Sequence, residues 1–169
     1  MFAVDFLVVP TIRFRMLYVF VVLSHVNRQV IHFNVTSNPT AHWTAQQVIE
    51  AFPWETAPRY LLRDRDKIYG GQYRRRVKNM GIEEVVTAYR SPWQNAYVER
   101  LNGSIRRECT DHVIVFGENH LRKLLRKYFE YYNNDRTRLG LDKETPTKRS
   151  VSNRASPLCK VIALPRVGG

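Results

Sequence analysis

The chain has 169 residues, 44% of them hydrophobic and 25% charged. That length suits one domain of the usual ~100–200 residues, and its many aromatics and apolar runs exclude disorder along the whole chain. It is long enough to bury a core without metal or disulfide staples. The longest membrane-like run, Met16 to Leu23, is far short of the ~20 residues a spanning helix needs. Asp5 interrupts the apolar start and no small-residue cleavage site follows a basic leader, so no signal peptide is expected. Cys109 and Cys159 form no CxxC pair. A disulfide framework or Cys-based zinc site is therefore not expected, and a reducing cytoplasm is.

The net charge is +12. Up to Pro58, Arg13, Arg15 and Arg28 are matched by Asp5, Glu50 and Glu55, so the whole excess lies from Arg59 onward, among 24 basic and 12 acidic residues. A one-sided basic surface suits a polyanion, above all nucleic acid.

In chain order, residues 2–9 read as a strand stopped by Pro10, and 13–24 form a second apolar run. A turn at 25–28 and a third strand over 29–35 complete an antiparallel meander. Thr44 is placed to cap a helix over 45–52 ended by Pro53. Residues 58–63 make a fourth strand, 72–79 a basic helix ending at Gly81, and 82–86 a fifth strand. The order β-β-β-α-β-α-β followed by helices predicts helices layered against one mixed sheet. Ser91, Pro92 and Gln94 read as a capping box with the favoured proline, opening a helix that runs to about Cys109. A helix over 118–133 carries Leu121, Leu124, Leu125, Tyr128 and Tyr132 on one face and Arg122, Lys123, Arg126 and Lys127 largely on the other. Residues 1–150 are expected to form the core and 151–169 an extended or poorly ordered tail.

Three carboxylates stand where most would not. Asp5 lies inside an apolar strand, on the face of Ala3, Leu7 and Val9, where an unpaired carboxylate costs several kcal/mol, roughly. Asp64 follows Tyr60-Leu61-Leu62-Arg63 at the carboxyl end of the fourth strand, where ligands of open α/β sheets gather. Asp66 beside it is of equally suitable type. Glu99 shares a helix stripe with Asn95, Asn102, Gly103 and Arg106, opposite the apolar Val98, Leu101, Ile105 and Cys109. Two amides, a glycine and an arginine suit a phosphodiester backbone. Oxygen-only ligands from scattered elements suit Mg²⁺ or Mn²⁺. Two such ions ~3.5–4 Å apart support in-line phosphoryl transfer.

The order Asp5, Asp64, Glu99, with 34 residues between the last two, resembles the DDE transposase and retroviral integrase superfamily, and most closely bacterial insertion-sequence transposases. The carriers are Val4-Asp5-Phe6, Arg63-Asp64-Arg65-Asp66, and Ser91-Pro-Trp-Gln-Asn-Ala-Tyr-Val-Glu-Arg-Leu-Asn-Gly-Ser-Ile-Arg-Arg-Glu108. Tyr131 to Arg136, with Leu141 and Thr145-Pro146, is similar to the segment that closes such cores. The resemblance implies a ribonuclease-H-like fold, an α/β five-stranded mixed sheet with helices on both faces. It implies DNA transposition or integration by metal-dependent strand cleavage and strand transfer, with no covalent enzyme–DNA intermediate. Asp5, Asp64 and Glu99 map onto the metal ligands, for Mg²⁺ or Mn²⁺ in a pair. Asp64 matches better than Asp66, since Tyr69 then falls five residues on. Asn95, Asn102, Arg106, Arg107 and Arg136 complete the expected DNA-contacting set. The implied partners are DNA, as transposon ends and target, and further copies of the chain.

An upstream helix-turn-helix and a His/Cys zinc domain, common in these relatives, have no counterpart in the sequence. An isolated or truncated core, served by a separate helix-turn-helix subunit or domain, is therefore expected. Two alternatives stay open: a nuclease of the same fold that cleaves without joining, and a nucleic-acid-binding remnant without catalysis.

Overall fold

The computed structural model describes residues 1–53 and 56–148; the predicted tail over 151–169 and Cys159 lie outside the described residues. Five strands, β1 (Phe2–Pro10), β2 (Met16–Ser24), β3 (Val30–Thr36), β4 (Tyr60–Arg63) and β5 (Glu83–Val86), form one sheet in the order β3-β2-β1-β4-β5. β1, β2 and β3 pair antiparallel, while β4 runs parallel to β1 and to β5. The meander follows from two short turns. In the first, the Thr11 amide donates to the Arg15 carbonyl and Phe14 takes a φ of 57°. That turn delays β2 to Met16 rather than 13.

Four α-helices cover both faces: α1 (Ala41–Ala51), α2 (Gly71–Asn79), α3 (Ala96–Glu108) and α4 (Glu118–Asn134). Strand alternation sorts them. Ala3, Leu7 and Val9 of β1 pack with Val98, Leu101 and Ile105 of α3 and with Leu121, Leu125, Tyr128, Phe129 and Tyr132 of α4. Val4 with Phe20 and Val22 faces Ala45 and Val48 of α1 and Tyr73 and Val77 of α2. Burial of side chains of this size stabilises the fold by about 1.5–3 kcal/mol each. The fold class read from the sequence holds.

Two caps differ from expectation. Helix α1 starts a turn early because Thr40, not Thr44, is the cap: its Oγ1 accepts from the Trp43 amide, while the Thr44 hydroxyl donates to the Thr40 carbonyl. The box at Ser91 does not form. Gln94 Oε1 accepts the Ala88 amide instead, and the Ser91 hydroxyl donates to the Tyr89 carbonyl. Residues Pro92–Asn95 are consequently a 3₁₀ turn, and α3 begins at Ala96.

Candidate active site

β1 pairs with β4 only at Phe2–Leu61 and Ala3–Leu62, after which the two strands part. Continuing that register past the split sets Asp5 across from Asp64, on parallel strands spaced about 4.8 Å apart in a sheet. The parting opens a cleft beside the middle of β1 and at the carboxyl ends of β4 and β5, and strand ends are where open α/β sheets bind ligands. The cleft measures about 270 Å³, and its lining includes Asp5, Asp64, Asp66, Thr87, Asn95 and Glu99. The three carboxylates singled out in the sequence thus meet at one cleft, and Asp66 joins them.

Each is held differently. Asp5 Oδ1 accepts its neighbour's amide, Phe6 N, at 2.9 Å, and Oδ2 accepts Asn102 Nδ2 at 2.8 Å. Burial pushes the Asp5 carboxyl up from 3.8 to about 7; the Phe6 amide opposes this, and the charges of Asp64, Glu99 and Asp66 add to it. Asp64 is half-buried, and its carboxyl is also raised, first by burial, with the Asp66 amide opposing and the Asp66 charge adding. Its basic neighbours do not neutralise it. Arg63 turns into the sheet to pair with Glu84, Nε to Oε1 at 2.6 Å, and donates to the Asp64 carbonyl rather than its carboxylate. Arg65 donates to the Thr87 carbonyl and so pins the loop after β4 to the end of β5. Asp66 Oδ1 accepts the Ile68 amide and shapes that loop. Glu99 is exposed in the first turn of α3.

The amides of the helix stripe face inward. Asn95 is buried and its Nδ2 lies 3.5 Å from the Val4 carbonyl; Asn102 is buried against Asp5. Both tie α3 to β1, so they orient the cleft from behind. Arg106 is exposed and lines a separate hollow with Val8 to Ile12 and Thr110 to Val115. Arg107 is exposed one face further round. Arg136 is held by Glu108: its Nε donates to Oε2 at 2.9 Å and its Nη2 pairs with Oε1, while the Tyr128 hydroxyl donates to the same carboxylate at 2.9 Å. That arginine clamps the segment after α4 onto α3. The inward turn of Asn102 had no sequence signal beyond its sharing a stripe with Glu99, and nothing in the sequence marked Arg65 as a loop pin.

Among the described residues, no three His, Cys, Asp or Glu side chains are gathered closely enough to hold a metal ion as they stand. The donor set still fits a hard divalent cation. It is all oxygen, it comes from three separate elements, and burial holds Asp5 in a site where a negative charge lacks compensation.

Comparison with known proteins agrees with this fold. Residues 80–146 match the family described as integrase core domain. A putative transposase of insertion sequence element IS150 from Escherichia coli (strain K12) is 27% identical over 137 residues, covering 78% of this chain and 48% of that protein. The chain therefore spans about half the length of this relative. The catalytic core domain of HTLV-2 integrase, solved in complex with magnesium, superimposes with a TM-score of 0.62 at 13% identity, covering 86% of this chain and 92% of that one. The catalytic core of BIV integrase gives 0.57 at 16% identity, over 86% and 90%. A chain of the simian T-cell lymphotropic virus intasome gives 0.69 at 14% identity, over 96% and 58%. The fold is the ribonuclease-H-like fold of integrase catalytic cores.

Proposed function

We propose that the chain is an integrase-type core of the DDE transposase and integrase superfamily, and from this premise that it carries out DNA strand cleavage and strand transfer. The observation that carries the reading is the convergence of Asp5, Asp64 and Glu99 on the cleft where β1 and β4 part. These three would hold Mg²⁺ or Mn²⁺, in a pair, with Asp66 the alternative to Asp64. The bound ions would supply a hydroxyl nucleophile at neutral pH and stabilise the leaving oxygen.

The chain's own residues set the stage for that chemistry. Asn102 orients Asp5 through its Nδ2. Arg63 and Arg65 lock the loop that presents Asp64. The early turn of α3 presents Glu99 from the opposite wall. Arg106 and Arg107 offer cations to DNA that the acidic cleft would otherwise repel. DNA is the proposed partner, as ends and target, with further copies of the chain assembled on it; a helix-turn-helix unit for end recognition would come from a separate domain or subunit. Among the described residues no helix is long and apolar enough to cross a membrane.

The test is incubation with a pre-nicked duplex in Mg²⁺ or Mn²⁺. Branched, joined products identify a transposase; cleavage alone identifies a nuclease of the same fold. The open spacing of the carboxylates favours one second reading, nucleic-acid binding without catalysis. In that case wild type and Asp64→Asn would give identical product patterns.

A further inference from the structure

Helix α3 presents a second chemistry on the face next to Glu99. Residues 97, 100, 104 and 107 follow one another round the helix about a quarter turn from the Glu99–Arg106 stripe. They form one wall of a cavity of about 460 Å³, closed on the other side by Arg28 and by Arg136 to Leu141. Five arginines line it, Arg28, Arg100, Arg107, Arg136 and Arg138, and no carboxylate does. Glu108 neutralises only Arg136. The other four have no carboxylate partner among the described residues.

Two of these arginines are also held in place. Arg28 takes a φ of 60°, which is strained for a residue with a side chain. Its Nη1 donates to the His25 carbonyl at 2.6 Å, and its guanidinium lies 3.1 Å from the centre of the Tyr97 ring. Arg138 lies 4.2 Å from the centre of the Tyr132 ring, and its Nε and Nη2 are buried without a hydrogen-bond partner among the described residues. Burial holds the Arg138 guanidinium below its ordinary range. Buried donors without acceptors cost about 1–3 kcal/mol, more for charged groups. A planar guanidinium fork is the geometry that binds a phosphate bidentately.

We propose that this pocket binds a backbone phosphate of the DNA strand engaged at the acidic cleft. The assignment rests on the functional reading above, which supplies the DNA. The spacing suits it. Arg107 lies eight residues beyond Glu99, roughly 12 Å along the helix axis, comparable to about three or four base steps of one strand. Gly103 lies between the two faces, where an added Cβ would come within 3.1 Å of the Arg107 guanidinium. The backbone there leaves Arg107 free to lie along the helix toward the pocket.

Two measurements test the pocket, on the whole chain as wild type, Arg100→Gln and Arg138→Gln. Arg100 is exposed, so Arg100→Gln keeps the test decisive if loss of the Arg138–Tyr132 stack unfolds the second variant. The first measurement is thermal unfolding with inorganic phosphate against chloride at matched ionic strength. Wild type should gain a few degrees at about ten times the dissociation constant, and the variants should lose most of that gain. The second is the salt dependence of duplex binding by fluorescence anisotropy. Loss of one seated phosphate should lower the log–log slope by about 0.9. No phosphate effect in wild type, or an equal effect in folded variants, overturns the pocket. A phosphate effect with unchanged DNA slopes overturns its assignment to DNA. Neither result touches the catalytic reading, which stands or falls on product formation by wild type against Asp64→Asn.

Discussion

Replacing Asp5 with asparagine should make the metal-free protein more stable at neutral pH, although Asp5 is proposed as a ligand. Burial, opposed by the Phe6 amide and reinforced by the charges of Asp64, Glu99 and Asp66, pushes its carboxyl from 3.8 to about 7. The folded value is the higher, so the fold binds this proton more tightly than the unfolded chain does. The penalty for ionising it is absent below the unfolded value, grows as pH rises to the folded value, and is constant above. It amounts to about 4 kcal/mol at pH 8 and about 1 kcal/mol at pH 4.5. The hydrogen bond from Phe6 N is already contained in that shift; against it, Asp5→Asn exchanges only the charge-assisted bond from Asn102 Nδ2 for a neutral one weaker by about 1 kcal/mol. Asn102 can turn its amide to accept from the new side chain, because its Oδ1 is buried without a partner.

The net gain at pH 8 is about 3 kcal/mol, or about 6–12 °C in Tm for a chain of this size, and it falls to about 1 kcal/mol at pH 4.5, where the folded carboxyl is protonated. Thermal melts followed by circular dichroism, in EDTA at both pH values, measure it. Adding Mg²⁺ at pH 8 should then raise the Tm of wild type and leave the variant unmoved. A variant destabilised equally at both pH values would refute the argument that an uncompensated charge sits at this point of β1.

Asp64→Asn and Glu99→Gln should each lower product formation at least about 100-fold, while anisotropy shows duplex binding within about twofold of wild type. Asn102→Ala should keep the fold by circular dichroism and lose roughly 10–100-fold in Mn²⁺ affinity or activity, as expected of a residue that orients a ligand. Arg106→Ala should weaken duplex binding and reduce its salt slope by about 0.9; an unchanged slope would place Arg106 off the DNA. Burial alone would raise the Glu108 carboxyl, but hydrogen bonds from Arg136 and Tyr128 outweigh it and hold the group below its ordinary 4.5. Its contribution is therefore present above that value and lost as pH falls through the lowered one. Glu108→Gln should cost about 1 kcal/mol at pH 7 and progressively less as pH falls below 4.5, by denaturant melts.

The fold and the acidic residues were legible because they depend on local pattern. Alternation placed Asp5 on the Ala3–Leu7–Val9 face, where the core has it, and strand-end position singled out Asp64. The details that failed depend on competition between partners. Thr40 and Thr44 can each cap a helix, and only the packing of Trp43 and Thr44 chooses between them. Gln94 had two amides to serve, and Ala88 won over Ser91. The same holds for charge: Arg136 reads as free until Glu108 and Tyr128 are folded against it. Asn102 reads as solvent-facing until β1 brings Asp5 to it. Helical spacing reports a face; it does not report what lies across from it.

That distinction explains why α3 can serve two opposite charges. Glu99 and the Arg100–Arg107 face are a quarter turn apart, and no arginine stands three or four residues from Glu99, the spacing at which helix neighbours pair. The ion pairs among the described residues are Arg63–Glu84, Arg122–Glu118 and Arg136–Glu108. None of them uses Asp5, Asp64, Glu99 or the four free arginines of the pocket. The carboxylates line the cleft at the split between β1 and β4, and Arg28 and Arg138 lie against the rings of Tyr97 and Tyr132. Among the described residues neither cluster has a counter-ion in an ion pair. In the proposed reading a divalent cation would satisfy the first and a phosphate the second, and a DNA strand would bring both to the same helix.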